Sequence, residues 1–176
     1  MKRYAELLAE ALTRVREIMP WDLRDRLAAG RELVLLDVRE PAEFEAAHIA
    51  GSINVPRGVL EQACEWDYDE TAPELAGGRA RPIVVVCRSG HRSVLAADVL
   101  QTLGFVDVVS LKTGLRGWND FEQPLVNAAG VTLDTDAAER LLAARVRPEQ
   151  RRPTQARGAA LTRAVAPEEG GPPEPR

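Results

Sequence analysis

The sequence predicts an α/β protein, with a short and mainly parallel β-sheet flanked by helices. Short runs rich in Val, Ile and Leu occur at residues 33–37, 53–55, 83–86 and 106–111, and helix-like stretches separate them. These runs show little alternation of apolar and polar residues, which is typical of strands covered on both faces. Strands that alternate with helices favour a parallel sheet, whose ligands bind at the carboxyl ends of the strands.

The helix predictions rest on apolar spacing and on end signals. Residues 4–19 carry apolar side chains at the i, i+3, i+4 and i+7 positions of an amphipathic helix. We expect this helix to cover a flank of the core, because a single stripe without a long heptad run does not favour oligomerisation. Further helices are predicted at 23–29, which ends at Gly30, at 41–47, which begins at Pro41, and at 94–103, which ends at Gly104.

The chain of 176 residues is long enough for one domain with appendages. We expect an N-terminal helix in residues 1–19, a domain at 20–130, a C-terminal helix within 131–147 and a tail at 148–176. The C-terminal helix is predicted at 137–146, where Asp136 and Glu139 have the spacing of a capping box. The tail holds six prolines and no aromatic residue. Such a segment buries too little surface to offset its ordering entropy, so we expect it to be disordered.

Composition and charge exclude several classes of function. The two cysteines, Cys64 and Cys87, cannot form a disulfide framework, and no Cys or His pair has metal-finger spacing. Charges interrupt the first residues, so no secretion signal or membrane segment is expected and a cytoplasmic location is predicted. The tail is basic, but its arginines are spread and lack interleaved aromatics, so no nucleic-acid partner is expected.

The segment that follows the strand at 83–86 is the main candidate for chemistry. It consists of Cys87, Arg88, Ser89, Gly90, His91, Arg92 and Ser93. A helix follows it, and the N-terminus of a helix presents unpaired N–H groups and about +0.5 of a charge, which favour an anion. Arg88 and Arg92 add two permanent cations, so the thiolate of Cys87 is favoured over the thiol. We therefore predict Cys87 as a nucleophile.

Three motifs together resemble the rhodanese-like sulfurtransferases. The Cys87 loop resembles their active-site loop, and residues 36–44 followed by 48–56 resemble their amino-terminal signature. Residues 114–118 resemble their carboxy-terminal signature. The resemblance covers residues 20–125, with all three motifs in the family's order.

The resemblance implies an α/β domain with five short, mainly parallel strands, and a sulfane sulfur carried on Cys87 as a persulfide. The donor would be a small molecule such as thiosulfate, and the acceptor cyanide or a thiol, including a protein thiol. No metal or organic cofactor is needed. The backbone N–H groups from Arg88 to Ser93 would surround the outer sulfur. We expect Arg88 and Arg92 to contact an anionic donor and His91 to modulate the thiolate.

Two other functions remain open from the sequence. Cysteine-dependent phosphatases and arsenate reductases of that type place an arginine six positions after the cysteine, whereas here Ser93 stands sixth and Arg92 fifth. A non-catalytic binding module is the second alternative, although the presence of Cys87 and Gly90 argues against it. Oligomeric state is not predicted.

Four residues outside the loop receive predictions of their own. Asp37, at the end of a strand, is expected to orient the loop by hydrogen bonds, or otherwise to cap the next turn. Arg39 is expected to form a structural ion pair with Glu43. His48 is expected to support a turn, and Cys64 to be a small buried apolar residue.

Overall fold

The structure is a computed structural model that describes residues 1–152. Its central sheet, within that range, has the strands β1 (Arg16–Ile18), β2 (Val34–Asp37), β3 (Ile53–Asn54), β4 (Ile83–Val86) and β5 (Val108–Leu111). The strand order is β1-β5-β4-β2-β3, and every pair is parallel. The predicted α/β fold with a five-stranded parallel sheet is therefore confirmed.

Helices connect and cover these strands. Their bounds are α1 Tyr4–Ala11, α2 Pro20–Ala28, α3 Pro41–Ala46, α4 Leu60–Ala63, α5 Pro73–Ala76, α6 His91–Thr102, α7 Gly114–Asp120 and α8 Thr135–Leu142. One-turn 3₁₀ helices lie at Arg57–Val59 and Pro148–Gln150.

Two apolar cores lie on opposite faces of the sheet, because successive strand residues point to opposite sides. Val85 belongs to the core that also holds Leu100 of α6, whereas its neighbour Val84 belongs to the core that holds Leu115 of α7. All four residues of β2, β4 and β5 are buried, as the unalternated apolar runs predict. The central strand β4 therefore ends in the middle of the carboxyl edge of the sheet.

The predicted N-terminal helix at residues 4–19 is too long. The helix α1 ends at Ala11, a turn follows, and Arg16–Ile18 form the edge strand β1 beside β5. The apolar residues Val15 and Ile18 continue the helical spacing, but Ile18 pairs with Leu111 of β5 and so belongs to the sheet. The strand β1 is therefore not predicted by the pattern of apolar residues.

The helix after the sheet is shorter than predicted, and it packs with the rest of the domain. The compact unit runs from Met1 to Ala143 and includes both β1 and α8. The helix α8 spans Thr135–Leu142 rather than 137–146, and its N-cap is Asp134, whose side chain accepts a hydrogen bond from the Ala137 amide at 2.8 Å. Ala138 and Leu142 are buried in one core. The predicted capping box of Asp136 and Glu139 is therefore wrong.

The tail predicted to be disordered spans 148–176, and most of it lies outside the described residues. Its described part, residues 148–152, contains the 3₁₀ turn Pro148–Gln150 and is fully exposed. In the part of the chain that the structure describes, no helix is long and apolar enough to cross a membrane.

Candidate active site

Three separate chain segments meet at the carboxyl edge of the sheet. β2 ends at Asp37, β4 is followed by Cys87, and β5 is followed by the turn into α7. These strands are neighbours in the order β5-β4-β2, so the three segments that carry the sequence motifs lie side by side. The site is assembled from residues far apart in the chain.

The loop after β4 wraps around the sulfur of Cys87. The Gly90 amide donates to Cys87 Sγ at 3.2 Å, and the Ser93 amide donates to it at 3.4 Å. Gly90 adopts φ +92° and is the N-cap of α6. The helix therefore begins at His91 and not at Val94 as predicted, so His91, Arg92 and Ser93 form its first turn. The sulfur lies at a helix N-terminus, where N–H groups favour negative charge.

A chain of buried hydroxyl groups approaches the same sulfur. Ser110 Oγ donates to Ser93 Oγ at 2.9 Å, and Ser93 Oγ donates to the Gly90 carbonyl at 2.8 Å. Ser93 Oγ also lies 3.5 Å from Cys87 Sγ. Ser93 belongs to the predicted site, whereas Ser110, a fully buried serine inside the apolar strand β5, is not predicted from the sequence. A polar residue in an otherwise apolar strand is the signal that could have identified it.

The turn after β5 supports the loop from behind. The amides of Leu115 and Arg116 donate to the carbonyls of Cys87 and Arg88 at 2.9 and 3.1 Å. Gly114 makes this approach possible, because it has φ +60° and a Cβ there would lie 2.3 Å from the Cys87 carbonyl oxygen. The carboxy-terminal motif therefore holds the backbone of the loop.

Asp37 and Arg39 pair with each other, and both are buried. The Arg39 guanidinium donates to the Asp37 carboxylate, with Nη2 2.6 Å from Oδ2, and Nη2 also donates to the Ala47 carbonyl. The Arg39 amide bonds to Asp37 Oδ1 at 3.0 Å. The predicted pair of Arg39 with Glu43 is wrong, and the Asp37 side chain bonds to Arg39 and not to the Cys87 loop. Asn54 Nδ2 donates to the carbonyls of both Asp37 and Arg39, so these residues fix the end of β2 against β3.

Glu43 of α3 instead forms a two-pronged ion pair with Arg92 of α6. Arg92 Nη1 and Nη2 each lie 2.7 Å from a different carboxylate oxygen of Glu43. Hydrogen bonds from Arg92 are the main reason that the pKa of Glu43 is lowered. Hydrogen bonds to Glu43 are likewise the main reason that the pKa of Arg92 is raised, and the negative charges of Cys87 and Asp37 add to this. Arg92, predicted as a donor contact, is thus engaged by a carboxylate.

The other side chains of the loop have fewer partners. Arg88 and Ser89 are half-buried, and Arg88 forms no ion pair with any residue between 1 and 152. His91 is exposed, and its ring meets the Tyr4 ring of α1 edge to face at 6.2 Å. A groove of about 210 Å³ opens on this side of the loop, between α1 and the residues after β5. Arg88 is therefore the loop cation left for an anion.

His48 and Cys64, also outside the loop, are placed as predicted. His48 Nδ1 lies 2.9 Å from the Phe44 carbonyl oxygen and the His48 ring stacks on Phe44, so it supports a turn. Cys64 is buried in one core, and burial raises the pKa of its thiol to about 11. Within residues 1–152, no group of three or more His, Cys, Asp or Glu side chains is arranged to hold a metal ion.

Comparison with known proteins gives relatives over the same region. The chain is 34% identical over 110 residues to the adenylyltransferase/sulfurtransferase MoeZ of Mycobacterium tuberculosis, covering 61% of this chain but only 25% of MoeZ. It is 34% identical over 105 residues to a protein of Schizosaccharomyces pombe described as a mitochondrial thiosulfate sulfurtransferase, covering 57% of this chain and 72% of that protein. The chain thus spans about a quarter of the length of MoeZ.

A solved structure from Rhodopseudomonas palustris has the same fold. It is 27% identical, covers 71% of this chain and 95% of its own, and superposes with a TM-score of 0.66; it is described as a protein of unknown function and possible tyrosine phosphatase. The family model named rhodanese-like domain matches residues 19–121, which include β2, the Cys87 loop and α7. The chain therefore belongs to the rhodanese-like domain family.

Proposed function

We propose that this protein is a sulfurtransferase that moves a sulfane sulfur from a donor such as thiosulfate to a thiophilic acceptor, through a persulfide on Cys87. The observation that carries the proposal is the position of Cys87 Sγ, which accepts hydrogen bonds from the Gly90 and Ser93 amides at the start of α6. Family membership and the names of the relatives support it.

The first half of the reaction loads the sulfur. The Cys87 thiolate attacks the outer sulfur of thiosulfate, a new S–S bond forms, and the old S–S bond breaks with its electron pair leaving on sulfite. The charge then lies on the outer sulfur of the persulfide. The backbone amides of Arg88, Ser89, His91 and Arg92 bond to no acceptor among the described residues, so they are available to that outer sulfur.

The second half returns the thiolate. An acceptor such as cyanide or a thiolate attacks the outer sulfur, and the Cys87 sulfur leaves with the bonding electron pair. Neither half requires a metal or an organic cofactor, and Ser93 Oγ, 3.5 Å from Sγ, can turn its proton to the thiolate in both. We propose that Arg88 contacts the anionic donor, and that Asp37 and Arg39 act only structurally, by fixing the end of β2. A protein thiol is among the acceptors that this chemistry admits.

Phosphatase activity is the second candidate, because a structural neighbour is described as a possible tyrosine phosphatase. The loop geometry weighs against it. Ser93 stands sixth after Cys87, with its Oγ 3.5 Å from the sulfur, while the Arg92 guanidinium at the fifth position is held by Glu43. A phosphate ester would thus meet no free arginine from the first turn of α6.

Steady-state kinetics test the proposal. With thiosulfate and cyanide, we expect thiocyanate to form with the parallel double-reciprocal lines of a two-step exchange, and we expect Cys87→Ser to be inactive. The same preparations are assayed with para-nitrophenyl phosphate. Hydrolysis of the ester by the wild type, lost in Cys87→Ser and without thiocyanate formation, would replace the proposal with the phosphatase. Inactivity in both assays, with Cys87 reduced and open to alkylation, would favour a binding module.

A further inference from the structure

The ion pair between Glu43 and Arg92 bears on which sulfur donors the site accepts. We propose that Glu43 is a specificity-determining residue, which disfavours dianionic donors by neutralising the cation closest to the start of α6. This inference rests on the proposed sulfur transfer, because it concerns the donor of that reaction.

The geometry shows that the pair is specific and not incidental. Both terminal nitrogens of Arg92 bond to Glu43, one to each carboxylate oxygen, at 2.7 Å. This arrangement uses the planar fork of the guanidinium fully on one partner. The pair joins two helices separated by 49 positions in the chain, and each side chain is one-third exposed. Solvent therefore reaches the pair, and its Arg92 lies in the first turn of the helix whose Ser93 amide contacts Cys87 Sγ.

The charges around Cys87 explain why the ion pair of Glu43 with Arg92 affects the binding of an anionic donor. Asp37 and Arg39 cancel each other, and Glu43 cancels Arg92, so Arg88 is the remaining unpaired cation of the loop within residues 1–152. Lys112 and Arg116 are exposed side chains on the segment after β5, and Glu17 lies with Lys112 along the groove. A thiolate attacking thiosulfate concentrates three negative charges in this loop, against one unpaired arginine and the partial charge of α6.

A monoanionic donor meets less repulsion in the same chemistry. Methanethiosulfonate transfers its outer sulfur to the thiolate as thiosulfate does, and methanesulfinate leaves with the electron pair of the broken S–S bond. It differs from thiosulfate mainly in carrying one charge instead of two. The ratio of kcat/KM for thiosulfate to kcat/KM for methanethiosulfonate therefore measures how the site responds to charge.

The test replaces Glu43 and keeps its shape. Glu43→Gln removes the negative charge, and Glu45→Gln is the matched control, because Glu45 is on the same helix, exposed, and has no side-chain contact with Arg92. We expect Glu43→Gln to raise the donor ratio about 1.5- to fivefold, the range for one partly exposed charge. We expect Glu45→Gln to leave it unchanged. The double variant Glu43→Gln, Arg92→Gln should have the same donor ratio as Arg92→Gln alone, because Glu43 affects the ratio through the charge of Arg92.

Alkylation provides a readout that does not depend on sulfur transfer. Iodoacetate and iodoacetamide react with a thiolate in the same way but differ by one negative charge. The ratio of their rates at Cys87, followed by peptide mass mapping, should rise in Glu43→Gln and not in Glu45→Gln. Unchanged donor and alkylation ratios in Glu43→Gln, or equal rises in both variants, would overturn the inference. If the wild type forms no persulfide, the proposed function fails, and the alkylation ratio still decides whether Glu43 sets the charge selectivity of Cys87.

Discussion

Replacing Gly114 with alanine should push the Cys87 loop away from the turn that supports it. Gly114 has φ +60°, and an added Cβ would lie 2.3 Å from the Cys87 carbonyl oxygen and 2.7 Å from Arg88 C and Ser89 N, where ordinary contact begins at 3.4 Å. All three atoms are backbone, so relief requires the loop to move by about 1 Å, and not a side-chain rotation.

The loss of unfolding free energy in Gly114→Ala has two parts, which a control variant can separate. The left-handed backbone costs an alanine about 1–2 kcal/mol. Overpacking against the loop adds about 1–3 kcal/mol. Gly30→Ala is the matched control, because Gly30 has φ +63° and its Cβ would meet nothing within 4 Å. We therefore expect Gly114→Ala to lose about 2–5 kcal/mol of unfolding free energy and Gly30→Ala only the first part.

Urea unfolding followed by tryptophan fluorescence measures both variants. The unfolding midpoint should fall further in Gly114→Ala than in Gly30→Ala, with a similar slope. Because the movement displaces the Gly90 and Ser93 amides from the sulfur, the rate of Cys87 persulfide formation should fall in Gly114→Ala alone. Equal stability losses in the two variants, with equal rates, would refute the reasoning that Gly114 is needed for loop contact.

Three further predictions concern buried groups. Arg39→Met should lose about 3–5 kcal/mol of unfolding free energy in urea, because it leaves the buried Asp37 carboxylate unpaired, and the double variant Asp37→Asn, Arg39→Met should lose less. Ser110→Ala should lose about 1 kcal/mol and slow persulfide formation on Cys87, measured by intact mass against time, because Ser93 Oγ loses its donor. The Cys64 thiol has a folded pKa of about 11 against an ordinary 9.0, so its stabilising contribution is complete below pH 9 and is lost as the pH rises to 11. The difference in unfolding free energy between wild type and Cys64→Val should therefore shrink by about 2–3 kcal/mol over that interval.

Each of these predictions has an outcome that contradicts it. A double variant less stable than Arg39→Met would mean that the unpaired charge is not the source of the loss. An unchanged rate in Ser110→Ala would remove the hydroxyl chain from the site's function. A constant difference between wild type and Cys64→Val from pH 9 to 11 would show that the buried thiol does not resist ionisation.

The sequence predicts most of the fold because burial leaves a visible pattern. The unalternated runs at β2, β4 and β5 identify strands covered on both faces, and Gly104 ends α6 as expected. The strand β1 could not be predicted, because Val15 and Ile18 keep a helical spacing and only pairing with β5 makes this segment extended. Local pattern and tertiary pairing conflict there, and pairing prevails.

In the site, too, some features can be predicted from the local sequence and others depend on tertiary structure. The position of Cys87 follows from a local feature, a cysteine between an apolar strand and a helix. The partner of Arg92 does not, because Glu43 is 49 residues away and meets Arg92 only in the folded protein. Arg39 has three carboxylates within four residues, and its pairing with Asp37 depends on the buried turn after β2. Ser110 meets Ser93 only because β5 neighbours β4.

The intact mass of the protein after thiosulfate treatment tests the central claim most directly. The mass should rise by one sulfur atom, cyanide should remove it, and Cys87→Ser should show no gain, while Cys64→Ala should behave as the wild type. A wild type that gains no sulfur with Cys87 reduced, or a gain that persists in Cys87→Ser, would contradict the account.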